Sequence, residues 1–176
     1  MKKAFDFSYH SVDGDEKQLS AKVQEADKTV LYFSCYMGCP FCQVDMMELC
    51  EEYPRLREKN VQLLLVLQSA PETVRNQTLI KDFPFEVVCD PEGTLYRLYS
   101  VKTASSMLKM INPLDRKLWK KIRSLLKYKL KHGAYEGNEQ QLPALFLLNH
   151  NMDLFYSHYA KSISDMPDID NILKLL

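Results

Sequence analysis

No apolar run in this chain approaches the ~18–20 residues that a membrane span needs. The longest core-like runs cover residues 63–67 and 144–148, so no membrane partner is expected. Charge of one sign is lacking too: 23 Lys and Arg stand against 23 Asp and Glu. The whole molecule therefore has no electrostatic case for binding nucleic acid. The opening Met1-Lys2-Lys3-Ala4-Phe5-Asp6 has no apolar h-region, so no signal peptide is expected. Glycine is scarce, with five residues and no two adjacent. Internal repeats and low-complexity stretches are absent. The five cysteines are odd in number and unevenly spaced, which excludes the disulfide framework of a small secreted protein. A cytoplasmic location follows as the expectation, and there a close cysteine pair is catalytic or metal-binding rather than structural.

What remains is an ordinary globular composition, 46% hydrophobic and 26% charged, in 176 residues. That is enough for one domain with its own core, expected over residues 1–176. The pattern alternates. A turn at 12–15 precedes a polar helix near 17–26, and a buried strand follows at 29–34. A helix over 40–59 opens with Pro40, where a missing N–H costs nothing. A second strand at 61–68 is apolar on both faces, as a central parallel strand should be. Then come a helix over 71–83, a strand at 85–89, a short helix through Leu95 and Leu98, and a hairpin of 143–149 with 152–159. A helix over 168–176 closes the chain. Such alternation points to an α/β sheet with a parallel part and an antiparallel edge.

One segment reads as an insertion. Asn112 is the expected cap, Pro113 the start and Gly133 the end of a helix with an apolar stripe of Leu114, Leu118, Ile122, Leu125, Leu126 and Leu130. Residues 113–131 hold eight Lys or Arg and the single acid Asp115, a net +7 that leaves the rest at −7. The ordinary account is a solvated outer face with the stripe packed on the domain; the functional one is a docking face for an anionic partner.

The chemistry concentrates in Cys35-Tyr36-Met37-Gly38-Cys39-Pro40-Phe41-Cys42. Two thiols spaced as Cys-x-x-Cys stand where a strand hands over to a helix. At such an N-terminus the free N–H groups and the helix dipole stabilise a thiolate. Cys39 is therefore the expected nucleophile, its pKa below the ~8.5 of a free thiol, and Cys42 the thiol that resolves its mixed disulfides. Gly38 and Pro40 suit an open approach to Cys39. About a hundred residues on, Leu142-Pro143 stands before a strand. In a redox fold of this kind that proline is cis and faces the dithiol. Lacking an N–H, it stops the sheet from pairing, and the backbone of Leu142 is left free for an extended substrate.

These segments resemble the thioredoxin superfamily. Residues 36–42, 85–91 (Phe-Glu-Val-Val-Cys-Asp-Pro) and 141–146 (Gln-Leu-Pro-Ala-Leu-Phe) are similar to its peroxiredoxin-like branch, the alkyl hydroperoxide reductase/thiol-specific antioxidant group. The resemblance implies a thioredoxin fold, a three-layer α/β/α sandwich with a mixed central sheet and a helical insertion over roughly 101–135 ahead of the cis-proline strand. It also implies thiol-dependent reduction of disulfides or peroxides, with a disulfide-bearing protein, small molecule or peroxide as substrate and a thiol reductant such as a thioredoxin. No cofactor and no metal are expected.

Departures from the group shape the choice between these activities. The hydroxyl that peroxiredoxins carry three residues before the peroxidatic cysteine is replaced by Tyr36, their earlier proline by Tyr32, and no arginine immediately precedes the strand at Ala144, where Leu142 and Pro143 stand. The Trp that thioredoxins have before the first cysteine is Gly38, and residues 30–33 offer no buried acid. Disulfide exchange is thus the expected activity and thiol peroxidase the alternative. A remoter alternative is a radical S-adenosylmethionine protein, since Cys35, Cys39 and Cys42 repeat the Cys-x3-Cys-x2-Cys spacing of a [4Fe–4S] site. A zinc site would lack a fourth ligand, no histidine being near before His132. Cys50 stands eight residues past Cys42, about 12 Å along the helix axis, beyond the ~7 Å reach of a disulfide. Cys89 is read as core, and His158 as a satisfied surface residue.

Overall fold

The computed structural model describes residues 2–80 and 82–176. Its framework is one eight-stranded mixed sheet. The strands are β1 (Lys2–Lys3), β2 (Ser8–Ser11), β3 (Glu16–Gln18), β4 (Lys28–Phe33), β5 (Val61–Leu67), β6 (Glu86–Cys89), β7 (Ala144–Asn149) and β8 (Asp153–Tyr159), in the spatial order β1-β8-β7-β4-β5-β6-β2-β3. The centre β4-β5-β6 is parallel, while β7 and β8 add antiparallel strands on the β4 side. The helices are α1 (Leu19–Lys22), α2 (Pro40–Arg57), α3 (Pro71–Asn76), α4 (Thr94–Leu98), α5 (Arg116–Tyr128) and α6 (Ile169–Leu175).

Side chains of a strand alternate between faces, and here both faces are covered. Val30, Tyr32, Leu63, Leu65, Leu67, Leu145 and Leu147 pack under Met46, Leu49 and Leu56 of α2 and Ile169 and Ile172 of α6. Leu31, Phe33, Leu64, Val66, Phe146 and Leu148 pack under Leu19 of α1 and Leu95 and Tyr96 of α4. This is the three-layer sandwich. Because β5 is buried at every position, its continuous apolar run is what the sequence shows.

Several expectations are corrected. The segment read as the start of a polar helix pairs as a β2–β3 hairpin, with Tyr9 opposite Lys17, and the helix shrinks to α1 and a 3-10 turn over Val23–Glu25. The helix over 71–83 ends at Asn76, where Gln77 is extended; Lys81 of that span lies outside the described residues. In the insertion the cap is Asp115, whose carboxylate accepts from the Lys117 N–H, and the helix ends at Lys129 in the left-handed region. Of the expected stripe Leu118 is buried, but Leu114 and Leu126 are 91% and 74% exposed. A polar residue takes their place: Lys121 is buried and donates to the Asp45 carboxylate of α2 at 2.6 Å and to the Ile163 carbonyl at 2.7 Å.

Candidate active site

β4 delivers the chain to the cysteines, and backbone bonds fix the turn that follows. The Ser34 N–H donates to Val66 O, Gln68 N–H to Cys35 O at 2.8 Å, and the buried Tyr96 hydroxyl lies 2.7 Å from Ser34 O and 2.9 Å from Val66 O. Met37 N–H donates to Ser69 Oγ, and the Gln43 side chain donates to Met37 O. Cys39 is the N-cap of α2 with extended backbone, and Pro40 is its first helical residue. Cys42 follows at the third helical position, where a cap side chain and the first turn meet.

The sulfurs of Cys35, Cys39 and Cys42 all lie within 4.8 Å of one another. Cys42 is bonded to Cys35, with their Cα atoms 6.6 Å apart, and Cys39 is a free thiol. The bond present thus joins Cys42 to a third cysteine that lies outside the Cys-x-x-Cys pair, because the turn after β4 brings Cys35 to the same sulfur. Cys39 is the most accessible of the three, for Cys35 and Cys42 are buried. Cys50 and Cys89 are free and stand apart from the cluster, and burial pushes both thiols up to about 11.

The expected low pKa of Cys39 is also corrected. Burial raises it; the backbone N–H groups of Cys42 and Phe41 pull it down, Asp45 pushes it up, and Lys121 pulls it down, and the balance lies above the ordinary thiol value. The helix terminus acts as expected, but desolvation of the thiolate outweighs it. Asp45, itself held above the usual carboxylate range by burial and countered by Lys121, was not singled out in the sequence. Its three-residue spacing from Cys42, which shares a helix face, is the signal that finds it.

Gly38 serves closeness rather than access. A Cβ there would stand 2.2 Å from Ala134 O, and Gly133 N–H donates to Gly38 O at 2.9 Å. The segment after α5 thus crosses directly over the cysteine turn. It is pinned by Glu136, whose carboxylate accepts from Ser69 Oγ, Ala70 N–H and Thr73 Oγ1, and by Asn138 N–H donating to the Gln68 side chain. His132 lies there too. Its Nδ1 is 2.8 Å from Gly133 O, a carbonyl that only accepts, so Nδ1 carries the hydrogen. Nε2 then accepts from the Tyr36 hydroxyl at 2.8 Å. Pro40 and Phe41 are half-buried, and Phe41 packs against Leu118, Leu142 and Ile163.

Leu142-Pro143 is adjacent to the cysteine turn: β7 pairs Ala144 with Phe33, so the next step sets Pro143 beside Ser34. Two expectations about it are corrected. Among the described residues no peptide bond is cis. Nor is the Leu142 backbone free, since its N–H donates to Lys102 O and its carbonyl accepts from the Gln141 side chain. Ala104 N–H donates to Gln140 O and Thr103 bridges Gln141, so residues 102–104 run where a substrate strand was expected. His158 is satisfied, its Nε2 2.7 Å from Asp165 O.

The three sulfurs are close enough to hold a thiophilic ion when all are reduced. The open sheet, however, is not the partial barrel that goes with the radical S-adenosylmethionine spacing. No helix is long and apolar enough to cross a membrane among the described residues.

The fold has wide company. A reduced 2-Cys peroxiredoxin of Plasmodium vivax superposes with a TM-score of 0.68 at 17% identity, over 99% of this chain and 91% of that one. A yeast mitochondrial 1-Cys peroxiredoxin gives 0.65 at 13% identity, over 99% and 72%. A putative thiol:disulfide interchange protein DsbE of Chlorobium tepidum gives 0.59 at 18% identity, over 99% and 95%. No curated protein sequence matches the chain. The AhpC/TSA family model matches residues 1–156. With the thioredoxin-type sheet and a cysteine cluster at the head of α2, that match makes this chain an oxidoreductase-type member of the AhpC/TSA family.

Proposed function

We propose that the protein is a thiol–disulfide oxidoreductase in which Cys39 attacks the substrate disulfide and Cys42 resolves the mixed disulfide. One observation carries this: a partly exposed free thiol at a helix N-cap lies within 4.8 Å of a second sulfur that already takes part in a disulfide. Exchange needs little besides sulfur proximity and access. Peroxide reduction needs more, namely donors that hold the O–O bond in line and stabilise the departing oxygen. The hydroxyl at the expected place, Tyr36, is spent on His132. Gly38 and Pro40 flank Cys39 in the chain, and Leu142 and Pro143 stand next to the cysteine turn with the Leu142 main chain already paired, so they offer side chains rather than a strand-binding edge. The substrate class is a disulfide on a protein or small molecule, the reductant a dithiol of thioredoxin type, and the setting a reducing cytoplasm.

The test is stopped-flow oxidation of the reduced protein by oxidised glutathione and by hydrogen peroxide, with Cys42→Ser beside it. Ready exchange, slow peroxide consumption and a glutathione adduct trapped on Cys39 in Cys42→Ser support the assignment. Fast peroxide consumption with sulfenic acid on Cys39 makes peroxidase the activity.

A further inference from the structure

Cys35 has no part in the two-thiol cycle just described, yet it holds the disulfide. It is 4% exposed, and Cys42 is 8% exposed. Its position is not an accident of a loose loop, because its carbonyl accepts from Gln68 N–H and the neighbouring Ser34 carbonyl from Tyr96. A purely structural Cys35–Cys42 bond would also leave Cys39 with no thiol to resolve it, for Cys50 and Cys89 lie outside the cluster. The arrangement makes sense if Cys42 is a sulfur shared in turn by two partners.

We propose that Cys35 is a third redox thiol, which displaces Cys39 from Cys42 after substrate reduction, so that the oxidised state is stored in a buried Cys35–Cys42 bond and Cys39 is returned as a free thiol. This extends the proposed exchange activity and rests on it. The steps balance. The Cys39 thiolate attacks one sulfur of the substrate disulfide and expels the first thiolate. Cys42 attacks the Cys39 sulfur, forms the Cys39–Cys42 bond and expels the second; the protons of Cys39 and Cys42 go to the two released thiols. Cys35 then attacks the Cys42 sulfur, expels the Cys39 thiolate and passes its proton to it. The substrate gains two electrons and two protons; the third step only moves a bond within the protein.

Burial favours that third step. Cys35 and Cys42 are buried while Cys39 is partly exposed, so the relay moves the apolar S–S bond onto the two most buried sulfurs and returns the polar thiol to the position that solvent reaches best. The resulting disulfide lies under the surface, out of reach of an external thiol. Reduction must therefore run backwards through Cys39, the accessible sulfur.

Chemical cleavage at methionine reads the bond directly. Met37 lies between Cys35 and Cys39, so cleavage at Met37 and Met46 places Cys39 and Cys42 together on one fragment and Cys35 on another. Reduced wild-type protein is mixed with oxidised glutathione, quenched with acid at intervals, cleaved and weighed. The internally bonded fragment 38–46 should rise first and then give way to the two fragments joined through Cys35 and Cys42. In excess oxidant the freed Cys39 should take up about one glutathione per protein, and Cys35→Ser under about a tenth of that, its Cys39 remaining bonded to Cys42. Wild-type protein that stops at the internally bonded fragment, with Cys35 still open to alkylation, overturns the relay and leaves the exchange activity standing. If Cys39→Ser forms the Cys35–Cys42 bond as fast as wild type, the nucleophile is misassigned and both proposals fall. The wild-type time course needs no variant to fold.

Discussion

Replacing Lys121 by Met would remove one half of an ion pair that joins α5 to α2. The Lys121 and Asp45 side chains are 9% and 13% exposed, and their charged atoms are 2.6 Å apart. The substitution roughly keeps side-chain length, so packing changes little. What it leaves behind is a buried carboxylate without its cation and an Ile163 carbonyl without its donor. Breaking a buried pair from one side costs about 3–5 kcal/mol, whereas replacing both partners by apolar residues is often close to neutral. With a urea dependence of about 2 kcal/mol per molar for a domain of this class, the midpoint should fall by roughly 2 M. Asp45→Leu should cost less, because Lys121 keeps the Ile163 carbonyl and can reach toward solvent along its own stem. The double variant should return to within about 2 kcal/mol of wild type. The assay is equilibrium urea unfolding of all four proteins at pH 7. A second readout is the exchange rate at Cys39, since Lys121 lowers that thiol's pKa and Asp45 raises it. Lys121→Met should slow exchange at neutral pH and Asp45→Leu should speed it. Single variants that each stay within about 1 kcal/mol of wild type, with effects that simply add, would refute the reasoning.

Three other outcomes are expected. Because the Cys39 pKa is raised, only its small deprotonated fraction reacts near neutrality, and the exchange rate should climb about tenfold per pH unit from pH 7 to 9; a plateau below pH 8 would mean the helix terminus outweighs burial after all. Asp115→Ala should cost about 0.5–2 kcal/mol through loss of the α5 cap. The Asp115 pKa is lowered, chiefly by the Ser164 hydroxyl, so its contribution is present above the unfolded value near 3.8 and disappears as pH falls through the lower folded one; urea midpoints that show the same cost at pH 7 and pH 2.5 would contradict this. Gly38→Ala drives a Cβ against Ala134 O and should destabilise by about 1–3 kcal/mol, with faster proteolytic cutting between residues 129 and 138 as the local sign.

The strands β4 and β5 and the helix α2 were legible from local signals: β5 is apolar except for the buried Gln62, and α2 starts at Pro40. The β2–β3 hairpin was hidden. Glu16 and Lys17 carry no strand propensity, and Lys17 is placed by a cross-strand ion pair with Glu86 that only the fold assembles. In α5 the apolar spacing misled, because the face that meets α2 is chosen by the Lys121–Asp45 pair, which leaves Leu114 and Leu126 outside. At the site, the Cys-x-x-Cys spacing located the right helix terminus. The partner of Cys42 could not be read from spacing, since both Cys35 and Cys39 are near in sequence, and the turn held by Gln68 and Tyr96 decides the outcome. The sign of the Cys39 shift depends on how deeply the fold buries the thiol and on Asp45 and Lys121, which the fold brings near it, tertiary quantities absent from any local motif.

The short bridge of residues 102–104 against 140–142 has a consequence for selectivity. Main-chain pairing is an indiscriminate grip: any extended polypeptide offers the same donors and acceptors, so an open edge beside a thiol welcomes unfolded chains of every sequence. Here that grip is already taken by the protein's own backbone. A visiting molecule must be held by its side chains or by its shape, and non-native polypeptides in general gain no hold at Leu142. The same closure denies neighbouring copies of the chain a template for strand addition at this corner, a safeguard against edge-to-edge aggregation next to a reactive sulfur.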